Sequence, residues 1–98
     1  MSGDPVKVAS NVYRTVFENE SVRLLEAYLR AGQKAAMHRH PRHLVYVLES
    51  GRERFTYSDG KTKEANMNAG DAVWEEAMSH SSENIGKTTV HALIFELK

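Results

Sequence analysis

There is no cysteine in this sequence, so disulfides, thiolate metal sites and a cysteine nucleophile are excluded, and histidine and carboxylate remain as the metal-holding side chains. Charge of one sign is missing too. Thirteen basic residues balance thirteen acidic ones, no run of like charge occurs, and electrostatic capture of nucleic acid or of an anionic membrane has no footprint. Neither is expected as a partner. No window approaches the roughly 20 consecutive apolar residues of a membrane span, and the opening "MSGDPVKVAS" lacks the apolar core of a secretory signal. A soluble, cytoplasmic protein is expected.

The 98 residues suffice for one domain over 1–98 that buries about two-thirds of its unfolded surface. No linker, low-complexity segment or repeat divides them. Short segments rich in Val, Tyr, Phe and Leu alternate with glycine or polar turn residues, a pattern of many short strands. Strands are predicted over 11–18, 35–40, 44–49, 52–58, 62–67, 72–76, 80–84 and 89–97. Gly51 and Asp59-Gly60 mark reversals. "VRLLEAYLR" (22–30) suits a short helix by composition, but its β-like neighbours favour a strand, since isolated helices this short are marginal. Eight to ten strands with such regular turns give an all-β fold, a sandwich or small barrel.

Of five histidines, three stand within six positions in "AAMHRHPRHLVYVLESG": His38, His40 and His43. Side chains repeat direction every second residue along a strand, so His38 and His40 share a face and can share a ligand. A third imidazole from another strand would complete a facial set with open positions. A lone histidine in a β domain is more often a surface or hydrogen-bonded core residue, and that reading stands beside the metal one.

Gly32, five residues, His38-Arg39-His40, an apolar strand and Gly51 resemble the first motif of the cupins (about 32–51). "NAGDAVWEEAMSHSSEN" (68–84) resembles the second, through Gly70-Asp71, His80 and Asn84. The resemblance covers over half the chain. It implies a single-domain jelly-roll β-barrel in which His38, His40 and His80 project inward onto one divalent transition metal (Fe, Ni, Cu, Zn or Mn).

Two features depart from the family pattern. The first motif usually carries a glutamate ligand after HxH, and no acidic residue occurs between His40 and Glu49. The apolar run puts His43 in that slot and counting back from Gly51 puts Leu44 there; His43 is favoured because strand parity then sends Val45 and Val47 inward. A four-histidine site would suit Fe, Ni, Cu or Zn better than Mg or Ca. The alternative for His43 is a loop-end side chain supporting the site from outside. Asn68 and Glu76 stand where the family often has proline, and Asn-Ala-Gly still turns. Glu75 and Glu76 cannot both face inward; a rim position is expected for each, with a general-base role as the alternative. His91 reads as a partly buried strand histidine, and Trp74, Tyr46, Phe55 and Tyr57 as core or dimer-face aromatics.

Two functions follow from the resemblance. One is a mononuclear metal enzyme, a dioxygenase, isomerase or lyase acting on a small organic acid or sugar-like compound. The other is a non-enzymatic module that holds a small-molecule ligand or uses the metal structurally. Short cupins of this kind look like bacterial cytoplasmic proteins, some linked by name to β-alanine degradation. A homodimer is expected, because residues 6–17 carry more apolar side chains than one small core takes up and a jelly roll has edges to pair.

Overall fold

The alternation read from the sequence is realised as nine strands after one helical turn, in a computed structural model that describes residues 3–98. The turn is α1 (Pro5–Val8), with the Asp4 side chain accepting from the Val6 N–H at its start and proline in its first positions. The strands are β1 (Tyr13–Glu18), β2 (Val22–Leu29), β3 (Lys34–His40), β4 (His43–Glu49), β5 (Gly51–Tyr57), β6 (Thr62–Met67), β7 (Ala72–Glu75), β8 (Met78–Asn84) and β9 (Val90–Leu97). The ambiguous segment after Ser21 is therefore a strand. It is held as one by full antiparallel pairing with β9 on one side and β1 on the other.

The strands form two antiparallel sheets, ordered β1-β2-β9-β4-β7 and β3-β8-β5-β6, that make the two walls of a jelly roll. Gly51 is not a hairpin reversal: β4 pairs with β9 and β7, whereas β5 pairs with β8 and β6, so the chain turns a corner between sheets there. Glycine is needed at that corner because a Cβ would meet a Val90 methyl at 2.5 Å. The expected Asp59-Gly60 hairpin does join β5 to β6. Gly70 has φ +91 and sits in a turn whose Asp71 carboxylate accepts from the Asn68 N–H, so this turn keeps its shape without a flanking proline.

The core lies between the sheets. On β9, Val90, Ala92, Ile94 and Glu96 all face inward and are buried, and Leu25, Ala27 and Leu29 of β2 lie beside them. Asn84 staples one end of the barrel. Its amide donates to the Leu29 and Thr88 carbonyls and its oxygen accepts from the Gly86 N–H. The asparagine of the second motif thus holds backbone, tying the end of β8 to β2 and to the turn before β9.

One irregularity positions the site. Between Ala35 and His38 the ladder of β3 with β8 slips by one residue, since Ala35 faces Ser82 but His38 faces His80. This bulge changes the phase of β3, so Ala35 and both His38 and His40 point inward while Ala36, Met37 and Arg39 are exposed. Without it, simple alternation from Ala35 would have turned Met37 and Arg39 into the barrel.

Candidate metal centre

His38, His40 and His80 converge inside the barrel, with one nitrogen of each lying within 4.8 Å of the others. All three are buried. His38 and His80 face each other directly across the β3–β8 ladder, their ring centroids 4.7 Å apart.

The two β3 histidines are tied in the same way. His38 Nδ1 lies 2.6 Å from the Ala36 carbonyl oxygen at the bulge, and His40 Nδ1 lies 2.7 Å from Glu96 Oε2. Both partners can only accept, so each ring carries its proton on Nδ1 and offers the lone pair of Nε2. Tyr13 Oη, 3.1 Å from His38 Nε2, donates to that lone pair. Glu96 is itself held by Arg23 at 2.8 Å, and Arg23 reaches Asp4 at 3.1 Å. The carboxylate that caps α1 is thereby linked, through two ion pairs, to the orientation of His40.

His80 is different. Neither of its ring nitrogens has a hydrogen-bond partner among the described residues, and Phe55 stacks on it at 5.1 Å. Buried polar groups ordinarily find partners.

The electrostatics keep these rings neutral. Burial pushes His38 down to about 4, against the pull of the Ala36 carbonyl. Burial and the neighbouring imidazoles push His80 down to about 2. His40 is also lowered by burial, with Glu96 working the other way. Glu96 shows the complement: burial alone would raise it, but hydrogen bonds from His40 and Arg23 outweigh that and hold it low. Neutral imidazoles are what a cation requires. The donor set therefore fits a divalent transition metal, and His80 is the ring whose burial lacks any other compensation.

His43 stands beside this group. It faces inward at the start of β4, as parity with Val45 and Val47 anticipates, and its centroid is 4.7 Å from that of His40. Its Nδ1 donates to the Pro41 carbonyl, and its Nε2 is 3.6 Å from Glu75 Oε1. Burial works to lower His43, but bonding to Glu75 and Pro41 outweighs it and the net shift is upward. Glu75 is correspondingly lowered, chiefly by His43. Of the adjacent glutamates, Glu75 turns in toward the site at the barrel rim, while Glu76 accepts from the Trp74 indole outside.

A cavity of about 50 Å³ adjoins the histidines. A second, of about 120 Å³, shares Val45, Phe55, Met67 and Glu75 with it and runs toward β6 and β7. Phe55 and Tyr57 flank His80 and line these spaces, which differs from the core or dimer-face role expected for them. Tyr46 and Trp74 do lie on the exposed outer face. His91 also faces out, stacked on Tyr28 and bridging Glu26 and Glu49, away from the centre.

Sequence reading missed Tyr13, Glu53, Ser82 and Glu96. The signal for two of them was present: Glu53 and Glu96 are charged residues at the inward parity of strands whose other inward positions are mainly apolar or aromatic.

Neither a protein-family model nor a curated protein matches the chain by sequence. By structure it is similar to a cupin domain from Bordetella pertussis, with a TM-score of 0.80 at 20% identity over 89% of this chain and 92% of that one. The chain has the cupin fold. A conserved protein with a double-stranded β-helix domain from Klebsiella pneumoniae matches at TM-score 0.71 and 20% identity, over 99% of this chain and 79% of that one. A double-stranded β-helix cupin from Methanocaldococcus jannaschii matches at 0.70 and 16%, over 88% and 78%. Likeness at this level is one of fold, and the chemistry of this chain rests on its side chains. No helix among the described residues is long and apolar enough to cross a membrane.

Proposed function

We propose that this small cupin binds one divalent transition metal through His38, His40 and His80, and takes a small-molecule ligand at the positions those three leave open. The observation that carries this reading is His80, buried with both nitrogens unpartnered among the described residues, beside His40, which presents Nε2, and His38, whose Nε2 a metal would take over from the Tyr13 hydroxyl. Such a metal would supply Lewis acidity or, if iron or copper, electron transfer. The chain's own part is to orient the rings through Ala36 and Glu96 and to hold Tyr13, which caps His38 Nε2 here, at the edge of the site. His43 would have to release Glu75 to offer Nε2, so its loss is expected to weaken metal affinity about 10- to 100-fold and not to abolish binding. Metal analysis of freshly purified protein, with melting before and after chelation, tests the reading. Untreated, metal-loaded protein should melt higher; identical melting would count against it.

Turnover of a small organic acid or sugar-like compound, by dioxygenase, isomerase or lyase chemistry, is the catalytic form of this reading, and ligand binding without turnover is the other. Iron-loaded protein exposed to dioxygen and candidate acids separates them. Iron oxidation coupled to ligand consumption marks the enzyme, whereas unchanged ligand marks the binding module.

A second copy of the chain is proposed to cover the outer face of the five-stranded sheet. There Phe17, Leu24, Phe95, Leu44 and Trp74 stand opposite one another in a single row across all five strands, and Phe17 and Trp74 are about half exposed (53% and 48%). The chain's formal net charge of zero opposes no self-association. Light scattering at micromolar concentration should give a dimer mass, and a monomer mass unchanged by salt would refute it.

A further inference from the structure

Two polar side chains inside the barrel serve neither the fold nor the histidines. Glu53 of β5 is only 7% exposed and Ser82 of β8 only 4%, and both line the cavity of about 50 Å³ that His40 and His80 also line. Ser82 Oγ makes no well-aligned hydrogen bond among the described residues, and its polar neighbour is the Tyr13 hydroxyl, which is turned to His38. The Glu53 carboxyl is influenced by burial and by the charge of Glu75, both pushing it up, to about 7, with no hydrogen bond to hold it down. The two lie on paired strands, where Ser82 stands opposite Phe55, two residues along from Glu53. The remaining walls are largely apolar: Leu29, Met67, Val90 and Ile94.

A carboxyl and a hydroxyl this deeply set, without a well-aligned hydrogen bond among the described residues, are destabilising unless something else in the cavity satisfies them. We propose that Glu53 and Ser82 are a recognition pair for the hydroxyl of a short hydroxy acid whose carboxylate reaches the histidine end of the same cavity. This rests on the metal-binding reading above. A hydroxyl fits because it both donates and accepts, as do Ser82 and a protonated Glu53. Size limits the ligand further: at about 10–15 Å³ for each water, the inner cavity has room for about four waters. That corresponds to an acid of two or three carbons, with anything longer extending toward the rim at Glu75.

The test uses glycolate and acetate as probes, which differ by the hydroxyl, titrated into zinc-loaded protein by calorimetry. Glycolate can itself chelate zinc through its hydroxyl, so the decisive quantity is how the glycolate-to-acetate affinity ratio changes between variants. Glu53→Leu should lower that ratio about tenfold or more and Ser82→Ala about threefold or more, with acetate affinity held within about twofold. Glu53→Gln should recover part of the ratio. An unchanged ratio in both Glu53→Leu and Ser82→Ala overturns the recognition pair while leaving the metal centre standing. If zinc does not bind but glycolate still binds in a Glu53-dependent way, the pair stands and the metal reading falls. If neither zinc nor glycolate binds, both fall.

Discussion

The two sides of the barrel interior treat their histidines oppositely. On the β3 side, His38 and His40 donate through Nδ1 to fixed acceptors, and His40 rests on a chain of charges running through Glu96 and Arg23 to Asp4. On the β8–β5 side, His80, Ser82 and Glu53 are buried with no such support. One side is finished by the chain itself. The other is left without such partners among the described residues, which is the arrangement expected when a scaffold preorganises some donors and leaves the rest for a metal and its ligand.

The largest effect should come from stripping the supported side. Glu96→Ala leaves the half-buried Arg23 with Asp4 alone and His40 without its acceptor, and should cost about 3 kcal/mol in chemical denaturation. His40→Ala should cost about 2–3 kcal/mol in chelator-treated protein, because Glu96 loses one charged hydrogen bond. His80→Ala should cost less than His40→Ala, since it removes a group that had no bond to lose. Equal costs for the two would erase the contrast between the sides.

Acid should act next. His38 and His80 titrate near 6.5 when unfolded but near 4 and 2 when folded. The stability tied to each is therefore full above about 6.5 and is lost as pH falls below it, by about 2 kcal/mol each at pH 5. Glu53 works in the opposite sense: raised to about 7, it binds its proton more tightly when folded and gains about 2 kcal/mol between pH 7 and pH 5. His40 is shifted down and His43 up, so these two oppose each other. Chelator-treated protein should thus lose about 2 kcal/mol from pH 7 to pH 5, and Glu53→Gln should steepen the loss to about 4 kcal/mol. Parallel pH profiles for the two proteins would contradict the burial assigned to Glu53. The smallest effect belongs to His91→Ala, which should cost about 1 kcal/mol from its outer-face bridge to Glu26 and Glu49 and leave metal affinity unaltered.

Sequence made the histidines of both sides visible and the groups around them hardly at all. His38, His40 and His80 could be picked out because HxH and the Gly-Asp…His…Asn spacing are local patterns, and strand parity placed His43, Val45 and Val47 inward. The bulge at Ala36 and Met37 was not visible, since it appears only as a slip between β3 and β8. Glu96 lies 56 residues from His40, and Tyr13 lies 25 from His38; such partners are set by pairing of distant strands. The corner at Gly51 was misread as a reversal for the same reason, because a tight glycine turn looks alike in sequence whether the next strand pairs back or crosses to the other sheet.

Metal titration across the histidine variants bears most directly on the central claim. The wild-type chain should bind one Zn²⁺ or Co²⁺ per chain, His38→Ala, His40→Ala and His80→Ala should lose stoichiometric binding, His43→Ala should bind more weakly, and His91→Ala should match wild type. Intact stoichiometric binding in both His38→Ala and His80→Ala would contradict the assignment of a metal to this barrel.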